Sequence, residues 1–166
     1  MKYSLLILSL TLGLAIWFYP QTSNSNGTGS PGGRTGSTGD NGSTCQDCHY
    51  AGFGTGATIT SNIPLDGYIP GDIYTITATV QQSGISKFGF EITSEEEGTK
   101  TGGFLITNSS ETQLTNSNNA VTHKAGGTAG AGSKTWTFDW EAPFGVGPFT
   151  AVRFDGSFIG ANGNGQ

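Results

Sequence analysis

The stretch 134–141, Lys-Thr-Trp-Thr-Phe-Asp-Trp-Glu, decides the fold, because a large aromatic residue stands at every second position from Trp136 to Trp140. Strict alternation of this kind is the pattern of a β-strand with one buried face. An earlier stretch, Ile73–Gln81, is dominated by β-branched and aromatic residues, which favour strands. Both stretches predict strands whose alternate side chains build a core.

Five further short segments after residue 56 read as strands, and turn signals such as Glu97-Gly98 and Asp155-Gly156 separate them. Strands at this spacing predict an all-β fold, an antiparallel immunoglobulin-like β-sandwich of about seven strands. The acidic triplet 95–97 is predicted to lie in a solvated turn. The predicted strands are Ala57–Thr60, Ile73–Gln81, Lys87–Thr93, Gly103–Thr107, Ala120–His123, Lys134–Glu141 and Gly147–Asp155.

Composition narrows the class of protein. The chain has 166 residues, enough for one typical domain, and 28 of them are glycine. Only 11% of the residues are charged, which excludes a coiled coil or a helical bundle. The net charge of −5 argues against nucleic acid and against an anionic membrane surface as partners. The balance is typical of an extracytoplasmic β-protein.

The first twenty residues predict export. Lys2 precedes an apolar run, residues 5–18, that is shorter than a spanning helix needs. Residues 1–20 are therefore expected to be a secretory signal peptide. Because large aromatic residues at 17–19 crowd the expected cleavage zone, an uncleaved signal-anchor is the alternative.

A Gly/Ser/Thr-rich stretch, residues 21–44, follows the signal and contains no large apolar residue. Such a composition predicts a flexible linker, since it buries too little surface to offset the entropy lost on ordering. Arg34 and the glycines just before the cysteines are also compatible with an ordered lead-in to a site. The folded domain is expected over 57–166.

The chemistry is concentrated in the segment 45–56, which opens with Cys45-Gln-Asp-Cys48-His49. C-x-x-C-H is the attachment signature of c-type haem, in which both thiols form thioethers with one porphyrin and the adjacent imidazole ligates the iron. The motif predicts covalent haem c on Cys45 and Cys48, with His49 as an axial ligand.

Three other interpretations of the motif stay open. A local disulfide between Cys45 and Cys48 is chemically easy in an exported protein. A redox C-x-x-C would normally open a helix in a βαβ unit, a setting that this sequence does not predict. A zinc ion would need four ligands, which Cys45, Cys48 and His123 with one further residue would have to supply.

With these residues in view, the chain resembles bacterial exported proteins with a choice-of-anchor V domain, which are similar to the reelin N-terminal (Reeler) domain. The resemblance spans about residues 29–165 and implies a Reeler-like β-sandwich, secreted or at the cell surface. It also implies a closing strand beyond the last matching piece, so we expect the sandwich to be truncated near Gln166. The matching pieces lie at residues 29–36, 42–49, 59–64, 67–71, 87–91, 121–123, 136–143 and 161–165.

The second axial ligand of the iron is predicted to be His123. Met is the common alternative in electron-carrying c-type proteins, but Met1 is the only methionine and lies at the start of the signal. Other candidates are a lysine such as Lys124, a tyrosine, water, or no ligand. His123 is preferred because it ends a predicted strand and precedes a glycine-rich loop, where sandwiches place sites.

Two functions are therefore in competition. The leading hypothesis is an exported single-haem domain, without enzyme activity, that transfers electrons or carries haem in the periplasm or at the cell surface. The alternative is a cell-surface adhesion or matrix-interaction module in which Cys45 and Cys48 form a disulfide. Neither the redox partner nor the surface component is identifiable from the sequence, and membrane attachment is expected only if the signal segment is uncleaved.

Overall fold

The computed structural model describes residues 26–49, 56–145 and 151–161, which form two antiparallel sheets packed face to face. The predicted signal segment 1–20 lies outside the described residues. Nine strands occur in the described ranges: β1 (Gly56–Ser61), β2 (Ile73–Gln81), β3 (Lys87–Glu96), β4 (Thr99–Lys100), β5 (Gly103–Leu105), β6 (Thr112–Thr115), β7 (Ala120–His123), β8 (Ser133–Glu141) and β9 (Arg153–Ala161).

The first sheet has the strand order β1-β2-β8-β5, and its inner face carries the aromatic residues that the sequence pattern singled out. Trp136, Phe138 and Trp140 of β8 are all buried. Phe138 lies opposite Ile76 of β2, and Trp140 lies opposite Tyr74. Burying one large apolar side chain stabilises a fold by about 1.5–3 kcal/mol. The predicted β-sandwich with an aromatic core is confirmed.

The second sheet is built around β3, which pairs with β9 along its length and with β7 and β4 on its other side. β6 pairs with β7 at the far edge. Phe90 of β3 packs onto the first sheet, with its ring centroid 4.5 Å from that of Trp136 and 6.0 Å from that of Phe138. Trp140 donates a hydrogen bond of 3.0 Å to the hydroxyl of Ser94. These contacts join the two sheets into one core.

The structure corrects the predicted last strand. β9 covers Arg153–Ala161, whereas the prediction was Gly147–Asp155, of which residues 146–150 lie outside the described residues. The predicted turn at Asp155-Gly156 is wrong, because both residues lie inside β9. Gly156 is there for packing: a Cβ at this position would lie 2.7 Å from Cγ1 of Ile92 in the core.

The two short strands β4 and β6 were not predicted. The turn between β3 and β4, at Glu97-Gly98, was predicted and is present. Glu97 and Gly98 both have positive φ, 48° and 84°, as a tight hairpin turn requires. The remaining local structure includes 3₁₀ turns at Thr38–Asp40, Cys45–Asp47 and Ala125–Gly127. Over the described ranges, no helix has the length and apolar character needed to cross a membrane.

Candidate functional site

The segment before the cysteines forms a third layer on the outer face of the second sheet. Glu91, Thr93 and Glu95 alternate with the core-facing residues of β3, yet they are buried, with exposed fractions of 0%, 0% and 2%. Residues 29–44, which we name the lead-in segment, supply their cover and many of their hydrogen bonds. Of the two descriptions that the sequence left open for this stretch, the ordered lead-in agrees with the structure.

Glu91 fastens the beginning of the lead-in segment. Its carboxylate accepts hydrogen bonds from the hydroxyl of Ser30 and from the backbone N–H groups of Gly33 (2.8 Å) and Arg34 (3.3 Å). Hydrogen bonds to a charged acceptor are stronger than neutral ones. Together they offset part of the cost of removing the carboxylate from water.

A buried charge cluster fastens the middle of the lead-in segment. Lys100 Nζ lies 2.7 Å from Asp40 Oδ1 and 2.6 Å from Glu95 Oε1. Glu95 also accepts hydrogen bonds from the hydroxyl of Ser37 and from the backbone N–H of Gly39 (3.1 Å). The prediction that the acidic triplet is a solvated turn is therefore wrong for Glu95, because β3 extends through it and the lead-in segment covers it.

The cluster holds both carboxylates ionised. Burial by itself would raise the pKa of Asp40 and of Glu95. Hydrogen bonds and the positive charge of Lys100 outweigh burial at both residues, helped by the hydroxyls of Thr35 and Ser37, so both pKa values lie below their ordinary range. Lys100 is therefore the residue that keeps both carboxylates of this cluster charged.

The C-x-x-C-H motif folds into a single tight turn at the end of this layer. Thr44 caps the 3₁₀ turn Cys45–Asp47, because its hydroxyl accepts a hydrogen bond of 3.2 Å from the backbone N–H of Gln46. The carbonyl of Cys45 then accepts from the N–H groups of Cys48 (3.3 Å) and His49 (3.0 Å). The two thiols and the imidazole are thereby displayed by one turn of backbone.

This turn forms one wall of a small cleft that is partly open to solvent. The opposite wall belongs to the second sheet. Lining side chains thus come from segments far apart in the sequence, which only the tertiary fold brings together. The turn contributes Cys45, Cys48 and His49, and the sheet contributes Phe90, His123 and Ile159.

His123 occupies a gap in the second sheet. The pairing between β3 and β7 ends at Glu91 and Thr122, so no strand partner lies opposite Phe90 on that side. His123 replaces the partner, because its Nδ1 lies 3.1 Å from the backbone nitrogen of Phe90, whose N–H donates to it. The ring also lies on Gly89, where a Cβ would come within 2.6 Å of the imidazole Cε1. The imidazole is held on two sides.

The environment of His123 favours the neutral ring. Burial lowers its pKa by more than the backbone groups of Phe90 and Asn26 raise it, and the charge of nearby His49 lowers it further. Nδ1 also lies 3.3 Å from the backbone carbonyl of Phe90 and 3.3 Å from the hydroxyl of Thr122, so these contacts accommodate a proton on either ring nitrogen. The assignment of His123 as the second iron ligand stays a prediction.

The two thiols differ in environment, and neither is in a disulfide. Cys48 is exposed, whereas Cys45 is partly buried beneath the lead-in segment. Burial, with a smaller contribution from the negative charge of Glu91, raises the pKa of the Cys45 thiol to about 11. Because the thiolate is the reactive form, Cys45 is the less reactive of the two in the folded chain.

The residues that the structure describes do not assemble a zinc site. Among them, no three His, Cys, Asp or Glu side chains converge closely enough to hold a metal ion. The set that a zinc site would need, Cys45, Cys48 and His123 with a fourth ligand, is therefore not brought together in the described conformation. Haem iron makes no such demand, since the porphyrin itself supplies four nitrogen ligands.

The donor set of the cleft fits haem c. Two free thiols and an imidazole on one turn provide the covalent attachment and one axial nitrogen. Arg34, on the same cleft, has a buried Nε that lacks a hydrogen-bond partner among the described residues. The Nη1 of the same guanidinium lies 3.7 Å from Asp47 Oδ2, and its Nε would suit one further carboxylate, of which haem carries two. These residues are of the types that covalent attachment of haem needs.

Sequence reasoning identified the motif and missed the residues that support it. The pattern gave no functional signal for Glu91 or Lys100, because charged residues on strands are ordinarily solvent-exposed. It also gave no direct signal for Gly89. The one available signal is the Gly between two phenylalanines, Phe88-Gly89-Phe90, since an isolated glycine in a strand marks a close approach of another group.

The comparisons with known proteins support the fold. No protein-family model matches the chain, and no curated protein matches it. Among solved structures, the chain is similar to the human F-spondin reeler domain (fragment 1), with a TM-score of 0.52 and 21% identity over 64% of this chain and 76% of that one. A second crystal structure, of fragment 2 of that domain, gives a TM-score of 0.48 and 23% identity over 62% of this chain and 77% of that one.

The first of these likenesses shows a Reeler-like β-sandwich. This agrees with the fold implied by the resemblance found in the sequence, while membership of the choice-of-anchor V proteins stays a prediction. At this level of identity the likeness establishes the fold alone, and function has to be argued from the cleft.

Proposed function

We propose that this chain is an exported Reeler-like domain that carries one covalent c-type haem and serves in electron transfer or haem carriage outside the cytoplasm. The observation that carries the proposal is that Cys45, Cys48, His49 and Arg34 all line one cleft. A surface module that used the cysteines only as a structural clip would need neither the imidazole nor the guanidinium there.

Each residue of the cleft has a distinct role in the proposal. Cys45 and Cys48 would hold the haem through thioethers, and the backbone turn between them fixes their spacing. His49 would supply one nitrogen ligand to the iron, and the Arg34 guanidinium would pair with a haem carboxylate. When bound, haem supplies an iron that exchanges single electrons. The lead-in segment, which donates hydrogen bonds to Glu91, contributes Ser30 and Arg34 to the lining of the cleft.

Burial of the Cys45 thiol bears on when haem would be attached. It raises the pKa of the thiol to about 11 and so lowers the reactive thiolate fraction in the folded chain. We therefore expect haem attachment to be faster before the lead-in segment docks than after. The acidic chain is proposed to be a carrier without catalytic activity, and its partner is a redox protein or a surface component.

The test is expression of the full chain in cells with and without a c-type maturation system. Haem staining of denaturing gels and pyridine-haemochrome spectra report covalent haem. The wild type is expected to be stained only with maturation, and Cys45→Ala/Cys48→Ala is expected not to be stained. Gln46→Ala, an exposed position between the cysteines, serves as the matched control and should load like the wild type. A wild type that stays unstained despite maturation refutes the proposal.

The second candidate is a surface-interaction module with a Cys45–Cys48 disulfide. The observation that favours it is the placement of both cysteines on one tight turn, with Cys48 open to solvent. Intact mass of the periplasmic protein separates the candidates, because a disulfide removes two hydrogens whereas haem adds a porphyrin. A disulfide in the matured protein would establish the second candidate and exclude the first.

A further inference from the structure

We propose that the lead-in segment, residues 29–44, opens as a unit while the sandwich stays folded, and that the open form is the one in which Cys45 accepts haem. The role of Cys45 rests on the proposed function, whereas the opening itself does not. Three features favour the opening: the segment has internal bonds of its own, the surfaces in contact are polar, and opening strands no buried charge.

The lead-in segment is held together by contacts that do not involve the sandwich. Thr35 and Thr44 form a β-bridge, and the N–H of Gly36 donates to the carbonyl of Ser43 at 2.7 Å. The segment precedes β1 and contributes no strand to either sheet. It can therefore leave as one piece without breaking a hydrogen bond between the strands of the sandwich.

The surfaces that meet in this contact are polar on both sides. The lead-in segment contains no large apolar residue, and the outer face of β3 presents Glu91 and Glu95 beneath it. Burial of apolar surface is the main source of stability in a folded protein, and this contact buries little of it. The hydrogen bonds that hold the closed form are exchanged for hydrogen bonds to water, so their net contribution is small. Opening is therefore expected to cost far less free energy than unfolding the aromatic core.

The charge cluster separates without leaving a buried charge unpaired. Lys100 and Glu95 both belong to the hairpin of β3 and β4, so their contact of 2.6 Å is kept when the segment leaves. Asp40 loses its contact of 2.7 Å with Lys100 and enters water, which solvates a carboxylate well. The costly case, a buried charge whose partner has been removed, does not arise.

Opening uncovers the Cys45 thiol. The lead-in segment contributes Ser30, Pro31 and Arg34 to the lining of the cleft that Cys45 also lines. In the closed form Cys48 is exposed, whereas Cys45 is partly buried. Covalent attachment of haem requires both thiols. The open form presents both of them on a domain that is otherwise folded.

Hydrogen exchange of the haem-free full chain, measured by mass spectrometry of peptic peptides, tests the opening. We expect amides of the lead-in segment to exchange through local opening and amides of β8 to exchange through global unfolding. Because local opening exposes little surface, exchange in the lead-in segment should depend weakly on urea, whereas exchange in β8 should accelerate steeply. This comparison needs no variant. Equal urea dependence of the two segments would overturn the inference.

Two matched variants separate local opening from global unfolding. Ser37 and Ser94 are both buried serines with hydrogen-bonded hydroxyls, 0% and 1% exposed. The Ser37 hydroxyl donates to Glu95 across the contact, so Ser37→Ala should accelerate exchange in the lead-in segment by about tenfold. The Ser94 hydroxyl accepts from Trp140 in the core, so Ser94→Ala should accelerate exchange in β8 by a similar factor.

Ser94→Ala should leave exchange in the lead-in segment unchanged, because the core is folded in both the closed and the open form. Equal acceleration of the two segments in Ser94→Ala would mean that the lead-in segment leaves only when the whole domain unfolds, which overturns the inference.

Labelling with a maleimide tests the role of Cys45. In a haem-free Cys48→Ala chain, Ser37→Ala should accelerate labelling of Cys45 by about the same factor as exchange in the lead-in segment, and Ser94→Ala should not. Labelling that Ser37→Ala leaves unchanged would show that Cys45 reacts in the closed form, which overturns its dependence on opening. A chain that acquires no covalent haem refutes the proposed function and the role of Cys45, whereas the opening stands or falls by hydrogen exchange alone.

Discussion

Replacement of Lys100 by methionine tests the claim that this partly buried lysine helps to hold the lead-in segment on the second sheet. Methionine keeps most of the side-chain volume and removes the charge. Asp40 and Glu95 then lose a partner at 2.7 Å and 2.6 Å, while their side chains stay only 3% and 1% exposed. Removing one partner from a buried ionic group costs about 3–5 kcal/mol, so we expect the free energy of unfolding to fall by that amount at pH 7.

The pH dependence gives the sharper test. In the wild type the pKa values of Asp40 and Glu95 lie below their ordinary range, so their stabilisation is present above about pH 4 and is lost as the pH falls. In Lys100→Met, burial is no longer offset and both pKa values rise, so the variant loses stability as the pH rises through them. The difference between the two proteins should therefore be larger at pH 7 than at pH 4.5.

Urea unfolding followed by tryptophan fluorescence at both pH values measures this difference. The matched control is Lys134→Met, which removes a lysine 2.9 Å from Glu111, a carboxylate whose side chain is 32% exposed. That loss should cost about 0–1 kcal/mol. A cost for Lys100→Met below 1 kcal/mol at pH 7, or an equal cost at both pH values, would refute the reasoning about the buried cluster.

Three further predictions concern the haem-free chain. Gly89→Ala should lower the free energy of unfolding in urea by about 1–3 kcal/mol, because the new Cβ would lie 2.6 Å from the His123 ring. The control is Gly103→Ala, whose Cβ would have its nearest neighbour at 4.0 Å and which should cost little stability. Equal losses of stability in the two variants would contradict this packing argument. At pH 8, iodoacetamide should modify Cys48 before Cys45 in the folded chain. Cys45 should react about 100-fold more slowly in the folded chain than in the urea-unfolded chain, because folding raises the pKa of its thiol from 9.0 to about 11. Mass spectrometry of digests measures both rates, and equal rates for Cys45 in the folded and unfolded chains would contradict this prediction. The same raised pKa makes the stability contributed by the Cys45 thiol complete below pH 9. This stability is lost as the pH rises towards 11, by up to about 3 kcal/mol, and a Cys45→Ala chain with the same alkaline slope would disprove it.

The sequence predicted the sandwich because a half-buried strand is a local pattern. The alternation of Trp136 and Trp140 with polar residues specifies which face of β8 is buried, and β2 matches it residue for residue. The bounds of β2 and β7 agree with the prediction for the same reason. The motif at Cys45 was readable because its chemistry needs residues that are adjacent in the chain.

The chain alone did not reveal which groups lie against the outer face of the second sheet. Alternation assigns Glu91 and Glu95 to the face opposite the core, and such a face is usually solvated; here the lead-in segment covers it. Gly156 read as a turn because a glycine in isolation looks the same whether it bends the chain or makes room for Ile92. These contacts join residues far apart in the sequence, so no local pattern encodes them.

His123 shows most clearly which properties the sequence specifies and which the tertiary structure specifies. Its position at the end of a strand, before a glycine-rich loop, was readable from the sequence, and elimination made it the candidate ligand. Its burial and its contact with the backbone of Phe90 were decided by the tertiary structure, because the pairing of β3 with β7 stops short of Phe90 and the imidazole lies beside it instead. A sequence specifies which side chains are present, whereas the hydrogen-bond partners of a buried side chain exist only once distant strands have met.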